Sequence, residues 1–155
     1  MKILLDIDGV LVTTPAWRRS ALDTDGFLKF NERAASNLAG IIGKTNAAIV
    51  LTTTHRVNYS VPEWIQLFKH RGIHAPAISF INDITSLSNM HDRATEIKQW
   101  VEKQDDDLPF VVIDDDLSIN GLPTYIKEKC VLTKPLIGLD DEATMKVFQV
   151  LQVKY

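Results

Sequence analysis

The stretch Lys2-Ile3-Leu4-Leu5-Asp6-Ile7-Asp8-Gly9 sets two carboxylates two residues apart behind a short apolar run, with a glycine directly after them. An apolar run this close to the start reads as a buried parallel strand. Acids at the C-terminal end of such a strand lie where open α/β sheets bind their ligands. Two like charges this close call for a bound cation or a shifted proton.

Working outward, four further short apolar runs resemble the first: Ala47 to Leu51, Ala77 to Ile81, Phe110 to Ile113 and Cys130 to Leu132. Helical patterns with readable ends lie between them. The first runs from Asn31, an N-cap, to Ile42, with Ala34, Leu38, Ile41 and Ile42 on one face and Gly43 as its stop. A second runs from about Pro62 to Arg71, before Gly72. The third starts at Asp92 and buries Ile97, Trp100 and Val101; the fourth carries Asp140, Asp141 and Glu142 in its first turn and ends near Val153. Strands alternating with helices predict an α/β fold, a doubly wound (Rossmann-like) parallel sheet of about five strands with helices on both faces. Residues 13–29 fit neither period and are expected to form a short flap after the first strand.

The 155 residues suffice for one domain with a sizeable core, taken here as 1–155. A net charge of -3 gives no global attraction to nucleic acid or to an anionic membrane, so any binding to a polyanion must be local. The single Cys130 excludes an internal disulfide framework and a multi-cysteine zinc site, and its simplest place is as a small hydrophobe beside Val131 and Leu132. The first apolar stretch is cut by Asp6 and Asp8 and is no signal peptide, and no run is long enough to span a membrane. A cytoplasmic protein without a membrane partner is the expectation.

Val111-Val112-Ile113-Asp114-Asp115-Asp116 is a second apolar strand ending in carboxylates, and Ile49-Val50-Leu51-Thr52-Thr53-Thr54 a third ending in hydroxyls. In a parallel sheet these ends converge on one edge if the strands are neighbours. An all-oxygen carboxylate cluster favours Mg²⁺, which commonly completes its shell with water and a phosphate oxygen.

In this ordered set the chain resembles the haloacid dehalogenase (HAD) superfamily of phosphohydrolases, in a small form with little or no cap domain. The Asp-x-Asp-Gly-Val motif matches Asp6, Asp8, Gly9 and Val10, and the hydroxyl strand end matches Thr52. The basic third motif matches Arg93, with Lys98 as a substitute, and the acidic pair matches Asp114 and Asp115. Gly138-Leu139, ahead of the final helix, extends the similarity over nearly the whole chain. The resemblance implies that Asp6 attacks phosphorus to form an aspartyl-phosphate, while Asp8 protonates the leaving oxygen and then activates water. It also implies that Asp6, Asp8 through its backbone carbonyl, and Asp114 or Asp115 hold Mg²⁺. Thr52, with Thr53 beside it, and Arg93 would grip the phosphoryl group. The run of three acids leaves open which of Asp114, Asp115 and Asp116 reach the metal.

Beyond the motifs, Arg56 is a candidate substrate contact or a solvated loop charge, and Trp17 a candidate substrate contact or part of the flap's packing. His70 and His74 have metal-ligand spacing, but Gly72 between them ends the helix and leaves them as surface residues; His91 reads as a loop residue. Two other functions share part of the pattern. A phosphoacceptor receiver also combines acids, a hydroxyl and a Lys-Pro element such as Lys134-Pro135, but it places its acidic pair after the first strand rather than the fourth. A catalytically silent relative would keep the fold and only bind a phosphorylated ligand. The gaps between motifs leave no room for a large cap, so the site is expected to be open to small molecules or macromolecular ends. Trp17, Arg18 and Arg19 could stack on and pair with a nucleotide or polynucleotide end.

Overall fold

The computed structural model describes residues 1–15 and 17–154; position 16, within the expected flap, lies outside them. Five strands, β1 (Lys2–Leu5), β2 (Ala48–Leu51), β3 (Ile78–Phe80), β4 (Phe110–Asp114) and β5 (Cys130–Leu132), form one sheet in the order β3-β2-β1-β4-β5. Every pairing is parallel, with Ile3 opposite both Ile49 and Val111. This is the Rossmann-type order. A receiver-like domain orders its strands 2-1-3-4-5, so the receiver alternative fails on topology as well as on motif order.

Helices cover both faces, as expected for a parallel sheet. Alternation along each strand assigns the side chains: Ile3, Leu5, Ile49, Leu51, Val111 and Ile113 enter one core, whereas Leu4, Val50 and Val112 enter the other. The larger core takes the apolar faces of α1 (Glu32–Thr45), α2 (Val61–His70) and α5 (Asp141–Leu151). The smaller takes Ile97 and Trp100 of α3 (Arg93–Glu102) and Ile126 of α4 (Thr124–Lys127).

The helix starts follow the capping residues read from the sequence. Asn31, Asp92 and Asp140 each accept a hydrogen bond from the backbone three residues on. α2 begins one residue before Pro62, where Ser60 and Glu63 form a reciprocal capping box. The end of α1 differs: the helix runs through the exposed Gly43 to Thr45 and stops at Asn46, which takes the left-handed conformation at φ 51°. Asn tolerates that region, so it serves as the terminator that glycine was expected to be. Val101 is only half-buried; the third inward residue of α3 is Glu96. Four short helical segments among the described residues, α4 and the turns Thr54–Asn58, Leu87–Asn89 and Leu117–Gly121, were not expected from periodicity.

Residues 13–29 contain a hairpin in which Leu22 and Leu28 form an antiparallel bridge. Its Phe27 is buried and meets Phe30, Tyr59 and Trp64 edge-on. Arg71, just after α2, donates to both Asp25 carboxylate oxygens and to the Leu28 carbonyl, and lies over the Phe27 and Phe30 rings. That grip holds the Asp25 carboxyl below its usual range.

Candidate active site

Because β1 lies between β2 and β4, the C-terminal ends of all three strands meet on one edge. Asp6 and Asp114 are buried there, and their ligand atoms and one from Asp115 lie within 4.8 Å of one another. Among the described residues these three could hold a metal ion. Asp116 turns away: its carboxylate accepts from Ser118 N and caps the turn Leu117–Gly121. The run of three acids thus divides into two site residues and one structural cap.

Backbone geometry makes this approach possible. Gly9 has φ +78°, and a Cβ there would overlap the Asp115 carboxylate. Thr133 donates its hydroxyl to the Gly9 carbonyl at 2.8 Å, tying the loop after β1 to the end of β5. Gly138 supports the same loop from below: at φ +74°, its Cβ position lies 2.5 Å from the Val10 carbonyl oxygen, which accepts from Leu139 N at 2.9 Å.

Arg93, at the start of α3, supplies the countercharge. Its Nη1 lies 2.5 Å from Asp114 Oδ2 and 3.4 Å from Asp6 Oδ1, and donates at 3.4 Å to the buried Thr52 hydroxyl oxygen. Lys98 is exposed on the same helix, and Arg93 is the one of the two that reaches the carboxylates. Burial pushes the Asp6 carboxyl up to about 6 against the pull of Arg93. Burial and the Asp6 charge push Asp114 likewise up to about 6. Burial also raises Asp115. For Arg93, burial opposes the charge, but Asp6 and Asp114 outweigh it and the pKa is raised. Three crowded carboxylates against one cation make a set that a hard divalent cation with oxygen ligands fits.

Other sequence candidates are placed differently. The Asp8 side chain is 61 % exposed and accepts from His55, whose Nε2 lies 2.9 Å from Asp8 Oδ2. Thr53, the other hydroxyl candidate, is buried, and its hydroxyl oxygen caps the turn Thr54–Asn58 by accepting from His55 N. Arg56 is a correction. Expected to touch substrate or to lie in solvent, it is 1 % exposed and donates to Glu96 at 2.6 Å and to the Thr52 carbonyl at 2.8 Å. An arginine buried without a carboxylate would be prohibitively costly, and Glu96 supplies one from inside α3. Trp17 is 82 % exposed, and Arg18 and Arg19 are exposed beside it. His70 and His74 are surface residues, as expected, and His70 meets Asp23 and Thr24. Cys130 is only half-buried; its thiol, which donates to the Ile126 carbonyl, is pushed up to about 12 by burial.

His55 and Glu96 were missed. Each signal was present in part: His55 directly follows the hydroxyl strand end, and Glu96 sits three residues after Arg93, at the spacing of the inward face.

A family model described as the HAD domain in Swiss Army Knife RNA repair proteins matches residues 2–144. No curated protein and no solved structure matches the chain. No helix among the described residues is long and apolar enough to cross a membrane.

Proposed function

Since the chain belongs to the family of HAD domains found in Swiss Army Knife RNA repair proteins, we propose that it hydrolyses a phosphomonoester at the end of an RNA strand. The observation that carries this reading is the convergence of Asp6, Asp114 and Asp115 with Arg93 and Thr52 on one sheet edge. A buried anionic nucleophile next to a buried cation suits phosphoryl transfer better than a solvated turn does.

Asp6 attacks phosphorus, the bond to the leaving oxygen breaks, and that oxygen takes the proton held by Asp8. Asp8, now a carboxylate, removes a proton from the water that attacks the aspartyl-phosphate. The bond from phosphorus to Asp6 breaks, and inorganic phosphate leaves with Asp6 regenerated. Asp6, Asp114, Asp115 and the Asp8 carbonyl would hold Mg²⁺, which when bound screens the nucleophile from the phosphate's negative charge. Thr52 donates its hydroxyl to a phosphoryl oxygen, and Arg93 balances charge that builds on the transferring group. The exposed Trp17, followed by Arg18 and Arg19, serves as a stacking surface for a terminal base with two cations for adjacent phosphates. This basic patch is local, in keeping with a net charge of -3.

Turnover of p-nitrophenyl phosphate and of oligoribonucleotides phosphorylated at either end, with Mg²⁺, tests the reading. Wild type is expected to release phosphate from both substrate classes, and Asp6→Asn from neither. Trp17→Ala should raise KM on the oligonucleotide by about 5- to 100-fold, the loss of one stacked base, and leave the small ester unaffected. A wild type inactive on the whole panel would overturn the proposal.

A further inference from the structure

We propose that His55 is a positioning residue for the Asp8 carboxyl, fixing which of its oxygens faces the leaving group; this rests on the phosphohydrolase reading of the same site. Asp8 needs such a device because its side chain is largely in solvent, unlike the buried Asp6. An exposed aspartate samples several rotamers, whereas a general acid must sit within hydrogen-bond reach of the oxygen it protonates. Among the described residues, His55 is the hydrogen-bond partner of that carboxylate, at 2.9 Å.

The histidine is itself held on two sides. Its backbone N–H donates to the Thr53 hydroxyl oxygen at 3.2 Å, which fixes the start of the turn Thr54–Asn58 at the end of β2. Its ring meets Phe27 edge-on, with centroids 5.4 Å apart and planes at 87°, so only 26 % of the side chain is exposed. Phe27 in turn belongs to the hairpin clamped by Arg71. An aromatic wall and a capped turn therefore restrict the imidazole, and the imidazole restricts Asp8.

The roles of the two Asp8 oxygens follow from donor chemistry. With the ring proton on Nε2, His55 donates to Oδ2, which then acts as an acceptor whether or not Asp8 is protonated. The transferable proton is thereby confined to Oδ1, the oxygen left free to meet the substrate. In the second half of the reaction the same oxygen receives the proton from water.

The consequence is selective for leaving groups. An alkoxide, such as a ribose hydroxyl oxygen, departs slowly without protonation, while p-nitrophenolate needs little help. In His55→Ala, kcat/KM, which reports on leaving-group departure and not on the shared hydrolysis of the aspartyl-phosphate, is expected to fall by about 10- to 100-fold on a nucleoside monophosphate and to stay within about twofold on p-nitrophenyl phosphate. His55→Gln, whose amide can donate to the same carboxylate, should recover most of the alkyl-ester rate. Independently of turnover, the His55 ring nitrogen resonances in a ¹⁵N NMR spectrum should move in Asp8→Asn. Equal losses on both esters, no loss on either, or unmoved ring resonances would overturn the inference while leaving an active wild type as a phosphohydrolase. An inactive wild type removes both readings.

Discussion

The guanidinium of Arg56 donates to the carboxylate of Glu96 at 2.6 Å with both side chains almost fully buried. Asn82 joins the pair by donating to the same Glu96 oxygen at 2.7 Å. The bridge runs from the end of β2 to α3, three residues after Arg93, and so fixes the helix that presents Arg93 to the carboxylates. Glu96→Ala leaves a buried cation unpaired and is expected to cost about 3–5 kcal/mol in urea unfolding. The double change Arg56→Met with Glu96→Leu should recover much of that stability, because removing both charges also removes their desolvation cost. A double variant no more stable than Glu96→Ala would contradict this account.

Arg93 and Lys98 separate cleanly by exposure. Arg93→Ala should lower kcat by about 10²- to 10³-fold, since it removes the cation that, among the described residues, touches both Asp6 and Asp114. Arg93→Lys should retain part of that rate, lacking the planar fork. Lys98→Ala, on the solvent side of α3, should retain wild-type kcat and KM. A large loss at Lys98 would reverse the assignment.

Gly138 makes a sharper demand on stability. Its positive φ disfavours any side chain, and a Cβ would sit 2.5 Å from the Val10 carbonyl oxygen, a backbone atom that cannot rotate away. Gly138→Ala should therefore destabilise the fold by about 2 kcal/mol or more. It should also lower kcat, because the displaced chain is the loop that carries Asp8 and Gly9. Unchanged thermal and kinetic behaviour would count against the tight approach.

The carboxyl groups set a pH signature. Asp6 and Asp114 take up their protons near pH 6 in the folded chain, above the value of an unfolded aspartate. Between those values the folded state binds more protons, so the stability they contribute is fully present below the ordinary aspartate pKa and is lost as pH rises through about 6. Without divalent cation, this contribution makes folding less favourable at pH 7.5 than at pH 5. Added Mg²⁺ replaces the missing protons, so it should raise Tm at pH 7.5 and do little at pH 5, where protons compete for the ligands. A metal effect of equal size at both values would exclude this cluster as the binding site.

Legibility from sequence followed locality. The apolar runs, the caps at Asn31, Asp92 and Asp140, and the convergence of the strand ends all depend on short-range pattern or on the general rule that parallel strands share a direction. Asn46 as the end of α1 was hidden because Gly43 offered a stronger nominal stop, yet nothing in the fold requires the chain to turn there. The burial of Arg56 was hidden because a charged loop residue reads as solvated unless its partner is known, and Glu96 comes forty residues later on another element. The His55 contact with Asp8 depends on the tertiary placement of the Phe27 hairpin, in a segment without periodicity. Pairings across elements, rather than the elements themselves, were what the sequence left unwritten.

The central position of β1 has a consequence for how the site comes into being. As the chain is synthesised, β1 and β2 emerge first and can pair, bringing Asp6 and Thr52 together while one edge of β1 is still bare. The cation at Arg93 and the acids at Asp114 and Asp115 emerge later, and β4 must slot in beside β1 to complete the sheet. Until β4 emerges, Asp6 and Thr52 therefore stand without Asp114 and Asp115. During that interval the uncovered edge is the place most exposed to wrong pairing, and the insertion of β4 both closes that hazard and completes the carboxylate cluster.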